Sequence, residues 1–477
     1  QVLEERFPEI KETQPELLAH HYTEAGLIAQ AIPYWQSAGQ RAIQRSANRE
    51  AISHLSKALE LLKTLPDIPE RAPQELMLQL TLGVPLMATK GWAAPDVEKA
   101  VSRARELCRQ LGETPQLFPV LRGLWPFRLM RAEYQMANEL GQQGLRLAQS
   151  VQDPALLLEA YLMLGMTSLF LGDLIPAREY LEHSIALYNP QQHHAHAFVY
   201  GFDPGITGLS YLTLVLWCLG YPDQALKKSQ ETLALARQLS HPFSLCMALI
   251  NTAMFRKSCW NGQAVQEQAE EVIAISTEHG FAEWLTMGDI FRGWALAEQG
   301  QVQEGISQLR RGLTAYRGPI GAESVVPWSL SFLAEAYDKG EQVEEGLDAL
   351  AEALGMMQRT GEGAEEAEVY RLQGQLTLKQ SGVRSPASDV PNTQHPTPST
   401  PAEAEAEACF LKAIEVARRQ QAKSWELRAA MSLSRLWQQQ GKQTAARQML
   451  VETYGWFSEG FDTKDLKEAK ALLSELA

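Results

Sequence analysis

The stretch AYLMLGMTSLFLGDLIPAREYLEHSIALY (160–188) reads as two amphipathic helices joined by a short turn at Gly172. Three other stretches share its layout: GDIFRGWALAEQGQVQEGISQLRRGLTAY (288–316), LSFLAEAYDKGEQVEEGLDALAEAL (330–354) and AMSLSRLWQQQGKQTAARQMLVETY (430–454). In each, a glycine ends the first helix, at Gly172, Gly300, Gly340 and Gly441, where a left-handed closing residue is favoured. Small residues follow about five positions later, Ala177, Gly305, Gly346 and Ala446, and let two antiparallel helices approach closely. Leu181, Leu309, Leu350 and Leu450 then fall on the same face of the second helix.

This unit resembles the tetratricopeptide repeat, a helix-turn-helix of about 34 residues. The same grammar predicts about eleven helix pairs. Their turns lie near Gly26, Ala47, Gly91, Ala132, Gly172, Gly220, Gly262, Gly300, Gly340, the segment 381–403, and Gly441. The expected fold is therefore all-α, a right-handed α-solenoid closed by a capping helix, TKDLKEAKALLSEL (463–476), with Asp462 or Thr463 as its N-cap. Such an array resolves the length of 477 residues, which exceeds one ordinary core. The expected divisions are 1–14 as the tail of an upstream module, 15–380 as solenoid, 381–403 as a disordered insertion, and 404–477 as final repeats and cap. SGVRSPASDVPNTQHPTPSTP (381–401) has five prolines and almost no large apolar residue, too little to offset its ordering entropy. Gln1 at the start of QVLEERFPEI reads as the cut edge of something longer.

Bulk properties narrow the function. A formal net charge of −14 argues against a general nucleic-acid partner, because phosphate contacts need a basic face. Five scattered cysteines without a Cys-x-x-Cys pair argue against structural zinc and disulfides, and fit reduced thiols in a cytoplasmic protein. No apolar run reads as reaching the roughly 18 residues that span a bilayer, so no membrane partner is expected. No phosphate-cradling G-x-x-x-x-G-K-[ST], H-E-x-x-H, G-x-S-x-G or strand-borne G-x-G-x-x-G occurs, so neither catalysis nor a cofactor is expected.

One stretch breaks the helical pattern, QQHHAHAFVYGFDPG (191–205). His193, His194 and His196, with His183 and Asp203 nearby, raise the possibility of a metal site, but on a helix His194 points away from the other two. The plainer alternative is a connector after Pro190. In Tyr200-Gly201-Phe202-Asp203-Pro204-Gly205, proline fixes φ, glycine permits positive φ, and Asp203 can cap the next helix. The same turn can also project Tyr200 and Asp203 into an inner groove. Other groove candidates interleave aromatics with arginine: Arg122, Trp125 and Arg131 in LRGLWPFRLMRAEY (121–134), then Trp217, Arg256, Trp260 and Trp294. Tryptophan and arginine anchor interfaces, and arginine suits carboxylates and phosphates. Against this stands simple packing between repeats.

The opening LLAHHYTEAGLIAQAIPYWQSAGQRA (17–42) resembles the junction at which bacterial STAND-type predicted ATPases pass into their tetratricopeptide region. The resemblance continues through YGFDPG (200–205), AEACFLKAIEVARRQQAKSWELRAAMSLSRLW (406–437) and YGWFSEGFDTKDLKEAKALL (454–473), covering essentially the whole chain. Tyr200, Gly201, Asp203, Pro204 and Gly205 match the family pattern, whereas His194 and His196 depart from it. The resemblance implies a non-catalytic sensor: a small-molecule inducer, peptide or protein binds the concave groove and controls an upstream ATPase, often accompanied by a class III cyclase. Two other functions compete with it, a constitutive protein-binding scaffold and a metal enzyme built on the histidines.

Overall fold

The computed structural model describes residues 9–66, 71–112, 117–382 and 400–477. Among these residues it contains 25 α-helices, one π-helical turn at Tyr316–Ile320 and no strand. The chain opens with α1 (Glu9–Thr13), α2 (Pro15–Glu24), α3 (Ile28–Gln44), α4 (Asn48–Thr64), α5 (Arg71–Lys90) and α6 (Pro95–Leu111). Next come α7 (Leu117–Met130), α8 (Tyr134–Val151), α9 (Pro154–Leu171), α10 (Leu174–Leu187) and two short helices, α11 (Pro190–His193) and α12 (His196–Tyr200). The central pairs are α13 (Pro204–Cys218) with α14 (Pro222–Leu239), α15 (Pro242–Ser258) with α16 (Gly262–His279), and α17 (Ala282–Glu298) with α18 (Val302–Ala315). The last are α19 (Val326–Lys339) with α20 (Val343–Thr360), α21 (Glu366–Gln380) with α22 (Pro401–Gln420), and α23 (Lys423–Gln439) with α24 (Gln443–Tyr454), capped by α25 (Lys464–Glu475).

Each hairpin turn expected within the described residues is present; the turns at Gly26 and Ala47 share α3, so α2, α3 and α4 follow one another, and ten pairs run from α3 to α24. The glycine reading needs one correction. Gly172, Gly300 and Gly441 have φ of 79°, 91° and 73°, but Gly340 closes α19 at φ −86° and Glu341 takes the left-handed position instead. The small residues act as expected: a Cβ on Gly305 would lie 2.5 Å from the Gly293 carbonyl oxygen. Thr463 stands at the N-cap of α25, but its hydroxyl bonds the Gly460 carbonyl and not the helix amides. Thr400 caps α22 in a capping box with Glu403. Residues 383–399, which hold most of the proline-rich insertion, lie outside the described residues.

Outer and inner helices differ in composition as their positions demand. Outer α6 buries Val97, Ala100, Val101, Ala104, Leu107 and Cys108, one stripe at helical spacing, and leaves its charges in water. Inner α13 buries all its residues, as an element apolar on every side must. Inner α9 is apolar apart from Glu159 and a few small polar residues, and it corrects one sequence expectation. By length and composition Pro154–Leu171 could cross a membrane, yet 67% of it is buried against the neighbouring helices.

The inner helices are covered from the inside because the array returns onto itself every five pairs. The Trp92 amide after α5 donates to a Glu283 carboxylate oxygen in α17 (2.9 Å), 191 residues away. Glu323 and Ser324 amides before α19 donate to the Met130 carbonyl at the end of α7 (2.8 and 3.0 Å). The Gly363 amide before α21 reaches the Phe170 carbonyl near the end of α9 (2.9 Å). Ser424 Oγ in α23 donates to the Trp217 carbonyl in α13 (2.5 Å). The end of an inner helix therefore lands on the start of the inner helix five pairs later. Hairpin glycines carry a second duty at these landings: a Cβ on Gly172 would sit 2.5 Å from Gln420 Nε2, and one on Gly220 would sit 2.8 Å from Lys423 Cβ.

Glu283 makes one landing sensitive to pH. Burial pushes its carboxyl from 4.5 up to about 7, against the opposing Trp92 amide and Tyr316 hydroxyl. A raised folded-state pKa gives stability that is complete below 4.5 and is lost as pH rises through 7, by about 3 kcal/mol. Thermal melts should show Glu283→Gln gaining on the wild-type protein as pH rises from 5 to 8. Parallel pH curves for the two proteins would contradict this assignment.

Candidate functional site

Residues 188–203 interrupt the pairing, and part of this insert walls a cavity. α12 packs against α5 and α7 with Ala197 buried and Val199 left exposed. Between α12 and helices α3, α5 and α7 lies a cavity of about 350 Å³. Ile43, Val84, Met87 and Val101 form buried parts of its wall, and Met77 and Val199 are exposed at its rim. The lining is apolar apart from Gln40, Gln44, Thr81, Tyr200 and Arg122.

Arg122 is 1% exposed and carries the only charge on that wall among the described residues. Its Nε donates to Glu159 Oε2 at 2.8 Å, and the other Glu159 oxygen lies 2.8 Å from His196 Nδ1. Burial presses the Glu159 carboxyl upward, but Arg122 and His196 outweigh it and hold the pKa below the usual value. Glu159 is thus an anion at 0% exposure, and removing either partner of this ion pair should cost about 3–5 kcal/mol. The guanidinium also lies over three rings: Phe202 at 4.6 Å, Trp125 at 5.2 Å and Tyr200 at 5.3 Å. Arg122 Nη2 is buried with no hydrogen-bond partner among the described residues. Such an orphan donor is costly to leave unmade.

The Tyr-Gly-x-Asp-Pro-Gly turn holds this arrangement in place. Gly201 takes φ 96°, and Asp203 caps α13 by accepting the Gly205 and Ile206 amides at 3.0 Å each. The second Asp203 oxygen accepts the Tyr188 hydroxyl (3.0 Å) and lies 3.3 Å from His194 Nδ1. Burial raises the Asp203 carboxyl, opposed by the Ile206 amide, Tyr188 and His194. Gly205 is required by contact, since a Cβ there would sit 2.3 Å from the Tyr188 ring. The histidines do not converge: His193 accepts the Asn189 amide (3.0 Å), while His194 and His196 serve different carboxylates. Among the described residues no group of three or more His, Cys, Asp or Glu is placed to hold a metal.

The structure unites Arg122, Trp125 and Tyr200 at one site but scatters the other groove candidates. Trp125, Asp203, Trp217 and Trp294 are 0–4% exposed, so the open groove in which they were expected is filled at those positions. Trp125 Nε1 donates to Thr167 (2.9 Å), and Trp294 Nε1 to Glu335 (2.6 Å), which also pairs with Lys257 (2.7 Å). Trp217 and Trp260, joined by Trp425, surround the protein's own Arg428 at 4.9–5.2 Å. Arg428 in turn bonds Asp465 (2.8 Å) and the Ser258 carbonyl (2.5 Å). An aromatic cage is present, and its occupant is internal. Arg131 pairs with Glu133 at 3.4 Å, and Arg256 lies over Phe255 at 5.8 Å, both apart from the cavity. Neither Glu159 nor Arg428 is among the candidates read from the sequence: a lone acid in LLLEAYLMLG does signal a buried partner, whereas Arg428 lies among Lys423, Glu426 and Arg435 and carries no such signal.

No family model matches the chain. It is 23% identical over 365 residues to an uncharacterised protein of Rhizobium meliloti (strain 1021), a match covering 76% of this chain and 35% of the relative. The chain thus spans about a third of that protein's length. Among solved structures it is similar to a Rap protein complexed with competence and sporulation factor (TM-score 0.47, 12% identity, 75% of this chain and 99% of the other). It is also similar to a human IFIT1 dimer with m7Gppp-AAAA (TM-score 0.44, 14% identity, 93% and 89%). A third is a STAND protein with a tetratricopeptide repeat sensor from Pyrococcus horikoshii (TM-score 0.40, 11% identity, 90% and 70%). At these scores no residue role transfers from them.

Asp203→Ala removes a helix cap and leaves the Tyr188 hydroxyl and His194 without their acceptor. Urea denaturation should show a loss of about 2–4 kcal/mol with an unchanged m-value. A loss below about 0.5 kcal/mol, the range of ordinary surface substitutions, would contradict the structural role given to Asp203.

Proposed function

We propose that this chain is a non-catalytic regulatory solenoid, the sensor portion of a longer signal-transduction ATPase of the STAND type, with a small-molecule inducer as its ligand. The observation that carries this reading is the cavity beside the 188–203 insert, bordered by a buried arginine with an unused donor. The family resemblance of the sequence supports it, as does a relative for which the matched region is only part of the length. Arg122 and Tyr200 contact the ligand in this reading, and Trp125 and Asp203 position them. Trp217 and Trp294 are buried against the chain's own cations and contact no ligand in this reading, and Arg131, Arg256 and Trp260 are left to any protein contact with the upstream module.

The route from cavity to array is short. Phe202, which shares the Arg122 guanidinium with Tyr200 of the cavity wall, stacks on Trp92 at 4.9 Å and 13°. The Trp92 amide makes the landing on Glu283. A ligand that favours one seating of α12 therefore biases the contact between successive turns, and a population shift follows from that difference in affinity. The turn-on-turn hydrogen bonds equally suit a constitutive scaffold, in which the two turns keep one spacing. Small-angle scattering separates the readings, because only the sensor changes dimensions with ligand.

Native mass spectrometry after incubation with host extract tests the ligand site. The wild-type chain should carry an adduct of small-molecule mass that Gly83→Leu, which fills the cavity, abolishes. A wild-type chain that emerges unmodified, or an adduct that survives in the variant, would contradict the assignment.

A further inference from the structure

The cavity has features that packing alone does not require. Several buried helical glycines are forced by contact: a Cβ on Gly165 would lie 2.7 Å from Leu181 Cγ, and one on Gly374 2.7 Å from Phe410 Cε1. Gly83 differs. It is buried inside α5 and lines the cavity, yet the nearest heavy atom to its Cβ position is Val101 Cγ2 at 3.9 Å. A glycine here weakens the helix and leaves space unfilled. Two prolines work in the same direction. Pro85 in α5 and Pro126 in α7 remove the amides that would bond the carbonyls of Thr81 and Arg122, and both of those residues line the cavity.

Charge balance sets the chemistry of an occupant. The Arg122 guanidinium is already neutralised by Glu159, whose two oxygens are taken by Arg122 and His196. Nη2 remains as a donor without an acceptor. An acidic ligand would bring a second negative charge beside Glu159 with no further Lys or Arg among the described residues of the wall, and an unpaired buried charge is strongly disfavoured. A neutral acceptor oxygen satisfies the donor without that penalty. By proportion to the roughly 150 Å³ cavity that holds benzene, 350 Å³ suits about fourteen heavy atoms.

We propose that the cavity takes a neutral, largely apolar molecule of about this size whose carbonyl oxygen accepts the Nη2 hydrogen of Arg122. The molecule belongs to the amide, ester, lactone or ketone class. Its apolar body lies among Ile43, Leu80, Val84, Met87 and Val101, with Tyr200 and Phe198 over it from the insert. This deepens the reading of the cavity as the inducer site and rests on it.

Isothermal calorimetry of the whole chain at pH 8 with 2-decanone and with decanoate tests it, since the two share an alkyl body and differ in charge. 2-Decanone should bind saturably, one per chain, and decanoate at least tenfold more weakly. Gly83→Leu should melt no lower than the wild-type protein and lose 2-decanone binding by tenfold or more. Arg122→Lys keeps the charge beside Glu159, removes Nη2, and should weaken 2-decanone by a similar factor. Decanoate binding as tightly as 2-decanone would overturn the neutral assignment, and undiminished binding to a folded Gly83→Leu would overturn the site. No binding of 2-decanone would overturn the chemistry. If a host adduct sensitive to Gly83→Leu were still found, the cavity would stand as a ligand site with only its ligand class withdrawn.

Discussion

The structure depends on one recurring contact, the end of an inner helix resting on the start of the inner helix five pairs further along. Backbone amides of Trp92, Glu323, Ser324 and Gly363 take part in these landings, so main-chain groups as well as side chains set the spacing of the turns. Buried main-chain groups must find partners, and here the next turn of the array supplies them. The landings need close approach, which explains why Gly172 and Gly220 have no room for a Cβ as well as left-handed φ. They also close the interior. Tryptophans that an open tetratricopeptide-like array could offer to a partner instead enclose Lys257 and Arg428 of the chain itself.

Against this filled interior the 188–203 insert stands out. It replaces a regular turn between pairs with two short helices and a cap, and α12 reaches back to α5 and α7. Asp203 anchors the far end of the insert by capping α13, and His196 and Tyr200 complete the surroundings of Arg122. The insert thus both walls the cavity and touches Trp92, the residue that makes the first landing. Binding and the spacing of the turns share one set of side chains.

The repeat architecture was legible because it is written locally. A glycine, a small residue and a leucine at fixed offsets specify a hairpin without reference to distant residues. The landings were not legible, because each joins residues roughly two hundred positions apart and carries no shared local motif. Gly340 shows the limit at short range: the left-handed position moved by one residue to Glu341, a shift that spacing cannot resolve. For the site, Arg122 and Tyr200 were visible as an arginine and a tyrosine in unusual company. Glu159 has no tryptophan or arginine beside it in the sequence to mark it, although a lone acid in an apolar helix demands a cation just as a lone arginine in LFPVLRGLWPF demands an anion. Trp217 and Trp294 were visible as large aromatics, but their composition does not say whether a partner or the protein's own cation fills the space beside them.

The central claim is that ligand in the cavity acts through the insert on the contact between turns. Hydrogen–deuterium exchange on the intact chain, with and without saturating 2-decanone, addresses it directly. The account predicts slower exchange in peptides covering 195–206 and 77–93, together with a change in the peptide around Glu283 that lies five pairs away. Protection confined to the cavity wall, with the Glu283 region unaltered, would leave a binding pocket and contradict the coupling.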